Sequence, residues 1–402
     1  MTRKSAGRRE GRTFSPSGDF STQKESAGEP AVKFLFTPEA VGTLISDLAS
    51  RGFTVLGPVL RDGAIVFDTV ESPDDLPAGW TAEEQPGRYR LKKRGDRALF
   101  GYPAPFDSLK RLFHPPDMRL FRAERENGSF RILNNRPPAP SYAVLGIRPC
   151  DLAAVAIQGR VLAGDRYVDD VYKERRDGAF LVAVNCTEPG AACFCASMGT
   201  GPEARGGYDI LLTELVEPGR HVLIAEAGTS RGRELLGELG AAQATAEVCE
   251  AARAALVRAQ GAMGRRLNPE GLKEALYAAF EHPRWDNVAA RCMACGNCTQ
   301  VCPTCFCVTV EDTSDMEQRQ AERWRRWDSC FTQSFSYIHG GSVRLSPRAR
   351  YRQWLTHKFA AWVDQFGSSG CVGCGRCITW CPAGIDVTEE LAALRPAAGA
   401  GG

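Results

Sequence analysis

The chain has 402 residues, 43% of them hydrophobic and 24% charged, with a net charge of +2. This is ordinary globular usage, ample for two or three domains, and it excludes wholesale disorder, a fibrous repeat and a strongly basic nucleic-acid binder. Sixteen cysteines in 402 residues are too sparse for the disulfide framework of a short secreted chain, so their spacing carries the information.

Residues 1–30 hold Arg8, Arg9 and Lys24 among Ser, Gly and Glu with no apolar block, which predicts a disordered lead-in rather than an export signal, and a cytoplasmic location. Residues 31–240 predict a mixed α/β domain. Thr37 and Pro38 open a helix whose Val41, Leu44, Ile45 and Leu48 share one face until Gly52 ends it. Two apolar runs, 53–60 and 64–70, flank Arg61-Asp62-Gly63, a hairpin signal because Asp and Gly tolerate positive φ. Runs at 142–147, 180–184, 209–213 and 221–225 predict buried strands, and helical segments at 151–162 and 230–239 alternate with them, so part of the sheet is expected to be parallel. Helices at 244–260 and 269–280 form a connector, residues 241–283.

Residues 284–392 then run cysteine-rich, charged, basic and cysteine-rich again, with helices expected over 316–327 and through the basic stretch 344–358. A helical ferredoxin-like domain results, followed by a disordered tail at 393–402. The longest uncharged stretch, 292–310, is broken by Asn297, Gln300 and Pro303, so no membrane span is expected.

Cys292, Cys295, Cys298 and Cys302 before Pro303 give C-x2-C-x2-C-x3-C-P, and Cys371, Cys374, Cys377 and Cys381 before Pro382 repeat it; this is the spacing of two-cluster ferredoxins. Three thiolates two residues apart reach three corners of a cubane only from a tight loop, which Gly296, Gly373 and Gly375 permit. The fourth cysteine of such a run ligates the other cluster. Cys292, Cys295, Cys298 and Cys381 are therefore expected to hold one [4Fe-4S] cluster, and Cys371, Cys374, Cys377 and Cys302 the second. Two zinc ions are the competing occupants, but zinc sites show paired C-x2-C units rather than triplets with x3-C-P. Two adjacent clusters suit electron transfer better than a purely structural role.

Cys150, Cys186, Cys193 and Cys195 lie in two loops at the ends of predicted neighbouring strands, where α/β folds build sites. They hold a third cluster or pack as buried thiols. Cys305, Cys307 and Cys330 are three ligands without a fourth, read as packing or mixed ligation, and Cys249 stands alone as a packing thiol. Gly199-Thr-Gly201-Pro202 and Gly340-Gly341 match no nucleotide-binding fingerprint. His114, His221, His282, His339 and His357 show no metal spacing. Arg348, Arg350 and Arg352 with Tyr351 and Trp354 imitate a nucleic-acid patch, but a basic helix packed between the clusters, or facing an acidic partner, is expected instead.

Gly146-Ile-Arg-Pro-Cys150-Asp, Cys186 with Cys193-Phe-Cys195, Cys302-Pro-Thr-Cys305-Phe-Cys307, Trp327-Asp-Ser-Cys330 and Cys371-Val-Gly-Cys374-Gly-Arg-Cys377 together resemble the beta-subunit family of cytoplasmic hydrogenase/sulfur reductases, or sulfhydrogenases. Anaerobic sulfite reductase contributes its A-type subunit to the same family. The likeness runs from about residue 34 to 390. It implies an iron–sulfur electron carrier beside a gamma-type subunit that binds flavin and NAD(P)H, so that FAD and NAD(P) sit on the partner only. In the hydrogenase branch, to which Arg-Pro-Cys-Asp is closer, it also implies small and large nickel–iron catalytic subunits. Where the family has Gly-Gly-His, this chain has Gly340-Gly341-Ser342, so no role of that histidine carries over. The expected function is electron relay without an independent catalytic site. The alternatives are the corresponding subunit of anaerobic sulfite reductase, a structural iron–sulfur scaffold, and a terminal reductase acting at an N-terminal cluster.

Overall fold

Continuous Val, Ile, Leu and Ala runs form the middle of an eight-stranded mixed sheet in the computed structural model, which describes residues 32–133, 136–164 and 167–395. The lead-in expected at 1–30 and most of the expected tail lie outside the described residues; Arg395 donates to the carbonyls of Asn268 and Glu270. Across the sheet the strands are Ala242–Gln243, Lys33–Phe36, Arg220–Ala227, Ile210–Glu217, Phe180–Val184, Tyr142–Ile147, Thr54–Arg61 and Ala64–Thr69. The four from Ile210–Glu217 to Thr54–Arg61 run parallel, and the outer pairings are antiparallel. Every residue of Phe180–Val184 is buried, as expected of a parallel strand covered on both faces. Val41, Leu44, Ile45 and Leu48 of helix Ala40–Ser50 cover one face; Leu152 and Val155 of helix Pro149–Leu162 cover the other. Asp62 and Gly63, at φ +48° and +76°, make the hairpin turn their types predict.

The stretch 316–327 is not helical. Val308–Ser314 and Gln320–Trp327 form an antiparallel pair, and Gln320–Trp327 also pairs with Asp117–Glu126, which pairs with Ser129–Leu133. Glu, Gln and Arg favour a helix in isolation, but extended chains let them meet opposite charges across strands. Arg323 pairs with Asp312 at 2.6 Å, Arg326 with Glu311 at 2.6 Å and Asp117 at 3.0 Å, and Arg119 with Glu322 at 2.7 Å. The resulting four-stranded sheet joins the N-terminal part to the cysteine-rich part, which is therefore not wholly helical.

The basic stretch does fold as a helix, Pro347–Thr356, with Ser346 accepting from the Ala349 N–H at 3.2 Å. It runs on through a π-turn, His357–Ala361, into helix Trp362–Phe366. Tyr351, Trp354 and Leu355 face inward onto Trp285, Val288 and Leu391. Arg348 and Arg352 pair with Glu281 at 2.8 and 3.2 Å, so acidic partners for this segment lie within the same chain.

The two cysteine loops repeat one backbone. Gly296 and Gly375 both take positive φ, +76° and +78°, and Ala294 at +51° stands where the second loop has Gly373 at +66°. A side chain is tolerated at 294 because that position is half-buried at the surface. At 373 a Cβ would stand 2.7 Å from the backbone of Phe194 and Cys195, whose loop docks there through Phe194 N–H to Gly373 O at 2.8 Å. Gly373→Ala is accordingly expected to destabilise the chain by at least about 1–2 kcal/mol, while Ala294→Gly leaves stability unchanged or raises it by up to about 1 kcal/mol. Urea unfolding of both variants checks this, and equal losses would contradict the docking.

Candidate metal centre

The eight cysteines of the repeated motif sort into two groups, each around its own cavity. Cys292, Cys295, Cys298 and Cys381 line the first, with Phe331, Tyr351 and Trp354. Cys302, Cys371, Cys374 and Cys377 line the second, with Phe194, Trp354 and Lys358. Trp354 and Cys377 line both, so the cavities adjoin. The first cavity is thus lined by three thiols of the first motif with Cys377 and Cys381 of the second, and the second cavity by three of the second motif with Cys302 of the first.

Among the described residues, no three His, Cys, Asp or Glu side chains gather closely enough for a single metal ion. Four thiols at each cavity offer the one-thiolate-per-iron ligation of a four-iron cluster. The donor set therefore fits [4Fe-4S] groups. Backbone N–H groups of Ala294, Gly373 and Ile385 each point at a sulfur, of Cys292, Cys371 and Cys381, at 3.4 Å. Burial pushes the thiols of Cys298 and Cys377 well up and that of Cys371 up to about 12, so they stay protonated until a metal displaces the protons.

Buried cations face these sulfurs. Lys358, on the π-turn and only 5% exposed, donates to Thr304 Oγ1 at 2.7 Å and Gly370 O at 3.1 Å, both neutral. Burial works against its charge, yet Cys302, Cys305 and Cys371 together hold its pKa well above the usual lysine value. Lys110, 4% exposed, donates to the carbonyls of Thr299 and Gln300 at 3.2 and 2.9 Å and lies 3.9 Å over the Trp327 ring. Burial lowers its pKa, with Cys305, Cys302 and Cys307 opposing. Arg376, directly after Gly375, binds both carboxylate oxygens of Asp151 at 2.8 and 2.9 Å and the carbonyls of Pro105 and Asp107 at 2.7 and 2.9 Å.

The N-terminal thiols are also brought together. Cys150 sits in the first turn after strand Tyr142–Ile147, and Cys186 just past the adjacent parallel strand Phe180–Val184. Cys193 and Cys195 arrive on the loop docked against Gly373. All four are 6–8% exposed. Cys193 Sγ lies 3.7 Å from Cys374 O, and Cys195 Sγ 3.8 Å from Met263 Sδ. Burial raises all four pKa values; Cys374 adds to the rise at Cys150 and Cys195, and Cys186 at Cys193 and Cys195. Arg148, 1% exposed and beside Cys186, donates to the carbonyls of Phe100 and Tyr102 at 2.6 Å, while its Nε and the Tyr102 hydroxyl have no partner among the described residues.

Cys302 acts most strongly on the Cys305 thiol, and Cys330 on the Cys307 thiol. Cys330 pulls the Cys307 pKa down to about 7 against burial, with Lys358 and Lys110 contributing, and Cys307 pushes Cys330 up. Cys249 is half-buried on helix Ala246–Gly261, away from these groups. Sequence reasoning missed Lys110, Arg148, Arg376 and the strained Ala294. Lys358 alone left a signal, four residues after Trp354 and so on the same helical face.

Residues 291–385 match the 4Fe-4S dicluster domain family, and the chain is an iron–sulfur protein. Sulfhydrogenase 2 subunit beta of Pyrococcus furiosus is 30% identical over 347 residues, 85% of this chain and 92% of that protein. The chain belongs to the sulfhydrogenase beta-subunit family. No solved structure matches it significantly. Among the described residues, no helix is long and apolar enough to cross a membrane.

The Arg376–Asp151 pair ties the second cysteine loop to the N-terminal thiols. Asp151→Ala leaves a buried guanidinium without its counter-charge and is expected to cost about 3–5 kcal/mol. Denaturant unfolding of the iron-loaded chain checks this; a loss below about 1 kcal/mol would contradict it.

Proposed function

We propose that the chain is the electron-relay subunit of a cytoplasmic hydrogenase/sulfur-reductase-type complex, set between a gamma-type subunit that binds FAD and NAD(P)H and nickel–iron small and large catalytic subunits. The sorting of eight motif thiols into two crossed groups around adjoining cavities carries this reading. In it, Cys292, Cys295, Cys298 and Cys381 hold one [4Fe-4S] cluster and Cys371, Cys374, Cys377 and Cys302 a second. Such clusters supply one-electron transfer at potentials set by N–H···S bonds, local charge and exposure.

The chain's own residues tune both sites. N–H groups at 294, 373 and 385 donate to sulfur, and Lys358 offsets negative charge at the second site. Met293, 69% exposed, and exposed Cys295 open the first site to the surface, where a redox partner can approach. Cys150, Cys186, Cys193 and Cys195 are read as a third cluster site next to the second. The buried Arg148 with its unpartnered Nε supports that reading, because a guanidinium placed among neutral groups calls for an anionic neighbour.

Two variants of the full chain test the assignment by iron content and electron paramagnetic resonance. Cys381→Ser is expected to alter the cluster held by Cys292, Cys295 and Cys298 and spare the other. Cys193→Ser is expected to remove about four irons and leave the motif clusters intact. A Cys381→Ser spectrum in which only the Cys371, Cys374 and Cys377 cluster changes would refute the crossing, and unchanged iron in Cys193→Ser would make the N-terminal thiols packing residues.

A further inference from the structure

The N-terminal domain carries an open cleft to which the cluster assignments give no role. Its volume is ≈ 880 Å³, a size that accommodates small organic ligands. It lies off the carboxyl edge of the large sheet. Pro38 and Glu39 follow strand Lys33–Phe36, Val59 to Arg61 close strand Thr54–Arg61, and His221 stands opposite Val216 near the end of Ile210–Glu217. Crevices at that edge are where open α/β sheets bind their ligands.

One wall holds a fixed carboxylate–imidazole pair. Glu214, 4% exposed, accepts at Oε1 from the Leu99 N–H at 2.7 Å and from His221 Nε2 at 2.8 Å, and at Oε2 from the Phe100 N–H at 2.8 Å. The carboxylate fixes Nε2 as the donor and leaves Nδ1 as the ring atom open to a ligand. Because Leu99 N–H and His221 share one oxygen, Arg97, two residues before Leu99 and also lining the cleft, is held on the imidazole's side. The same loop runs on to Phe100 and Tyr102, whose carbonyls accept from Arg148 at 2.6 Å, so the cleft is one loop away from the Cys186 group.

The charges of the lining show what the cleft can take. Arg61 is committed to Asp68 at 2.8 Å, and Asp75 accepts from the Glu71 and Ser72 N–H groups at 2.9 Å. Arg97 and Asp74 make no hydrogen bond or ion pair among the described residues, and Glu39 makes no ion pair. Arg97 thus offers a partner to an anionic group, while Glu39, Asp74 and the Nδ1 acceptor offer partners to a cationic donor. A plain anion would meet the two carboxylates and a plain cation would meet Arg97. Leu76 and half-buried Trp80 add an apolar wall. We infer that this cleft binds a small zwitterion of the amino-acid or short-peptide class, its carboxylate on Arg97, its ammonium on Glu39, Asp74 and His221, and its apolar side chain against Trp80 and Leu76. The site is built without any cluster ligand.

Anaerobic equilibrium dialysis of the full, iron-loaded chain tests it, with leucine, leucyl-leucine, isocaproate and isoamylamine as probes and mass spectrometry as the readout. At least one of the two zwitterions is expected to be retained on the protein side, and the stronger of the two gives the length that fits. Isocaproate, which lacks the ammonium, and isoamylamine, which lacks the carboxylate, are each expected to bind about tenfold more weakly or worse. Arg97→Gln and Asp74→Asn, both at exposed positions, are expected to weaken zwitterion binding about tenfold each, with iron content and melting temperature unchanged. The inference fails if neither zwitterion is retained, if isocaproate or isoamylamine binds as tightly, or if both variants keep the wild-type affinity. Absence of iron in the wild-type chain would overturn the cluster assignment separately, because dialysis reads the cleft and not the clusters.

Discussion

The buried pair of Arg376 and Asp151 fixes the relation on which the sites depend. Arg376 belongs to the second cysteine loop and Asp151 to the helix that opens beside Cys150, so one bidentate contact sets two thiol groups from distant sequence at a fixed spacing. Burying both charges has a large desolvation cost, and such a pair rarely adds net stability over apolar packing. What it supplies is register. Two further carbonyl bonds from Arg376, to Pro105 and Asp107, and the docking of Phe194 on Gly373 admit one arrangement of loop against loop.

Charge around the sulfurs follows the same logic. Lys110, Lys358 and Arg148 are buried among neutral hydrogen-bond partners, a placement that is costly unless negative charge stands nearby. In the proposed assignment the clusters supply it. The lysines sit by the motif sites and the Cys305 and Cys307 contacts, and the arginine sits by Cys186, so the cations mark out the sulfur groups without reference to cysteine spacing. The π-turn at His357–Ala361 carries Lys358 in the helix behind Trp354, and Trp354 itself forms the shared wall of the two cavities.

Much of this is legible in the sequence where the determinant is local. Asp62-Gly63 announces its hairpin, and the apolar runs at 142–147 and 180–184 coincide with strands because burial on both faces demands such runs. Asn127-Gly128, at φ +50° and +83°, carries the same hairpin signal and points to a pair that the sequence reading passes over. The charged strand Gln320–Trp327 is not legible, because its preference is set by Asp117 and Arg119, some two hundred positions away in the chain. Cysteine spacing points to the dicluster motif. The roles of Arg376, Lys110 and Arg148 arise only from tertiary placement.

The central claim is that this chain carries electrons it neither takes from a nucleotide nor spends on a substrate by itself. Rapid-mixing absorbance of the anaerobic chain with NAD(P)H, with and without a flavin-binding gamma-type subunit, tests it most directly. The account predicts bleaching of the iron–sulfur absorption on a catalytic timescale only when the flavin subunit is present. Rapid reduction of the chain alone, or no reduction with the flavin subunit bound and itself reduced, would contradict it.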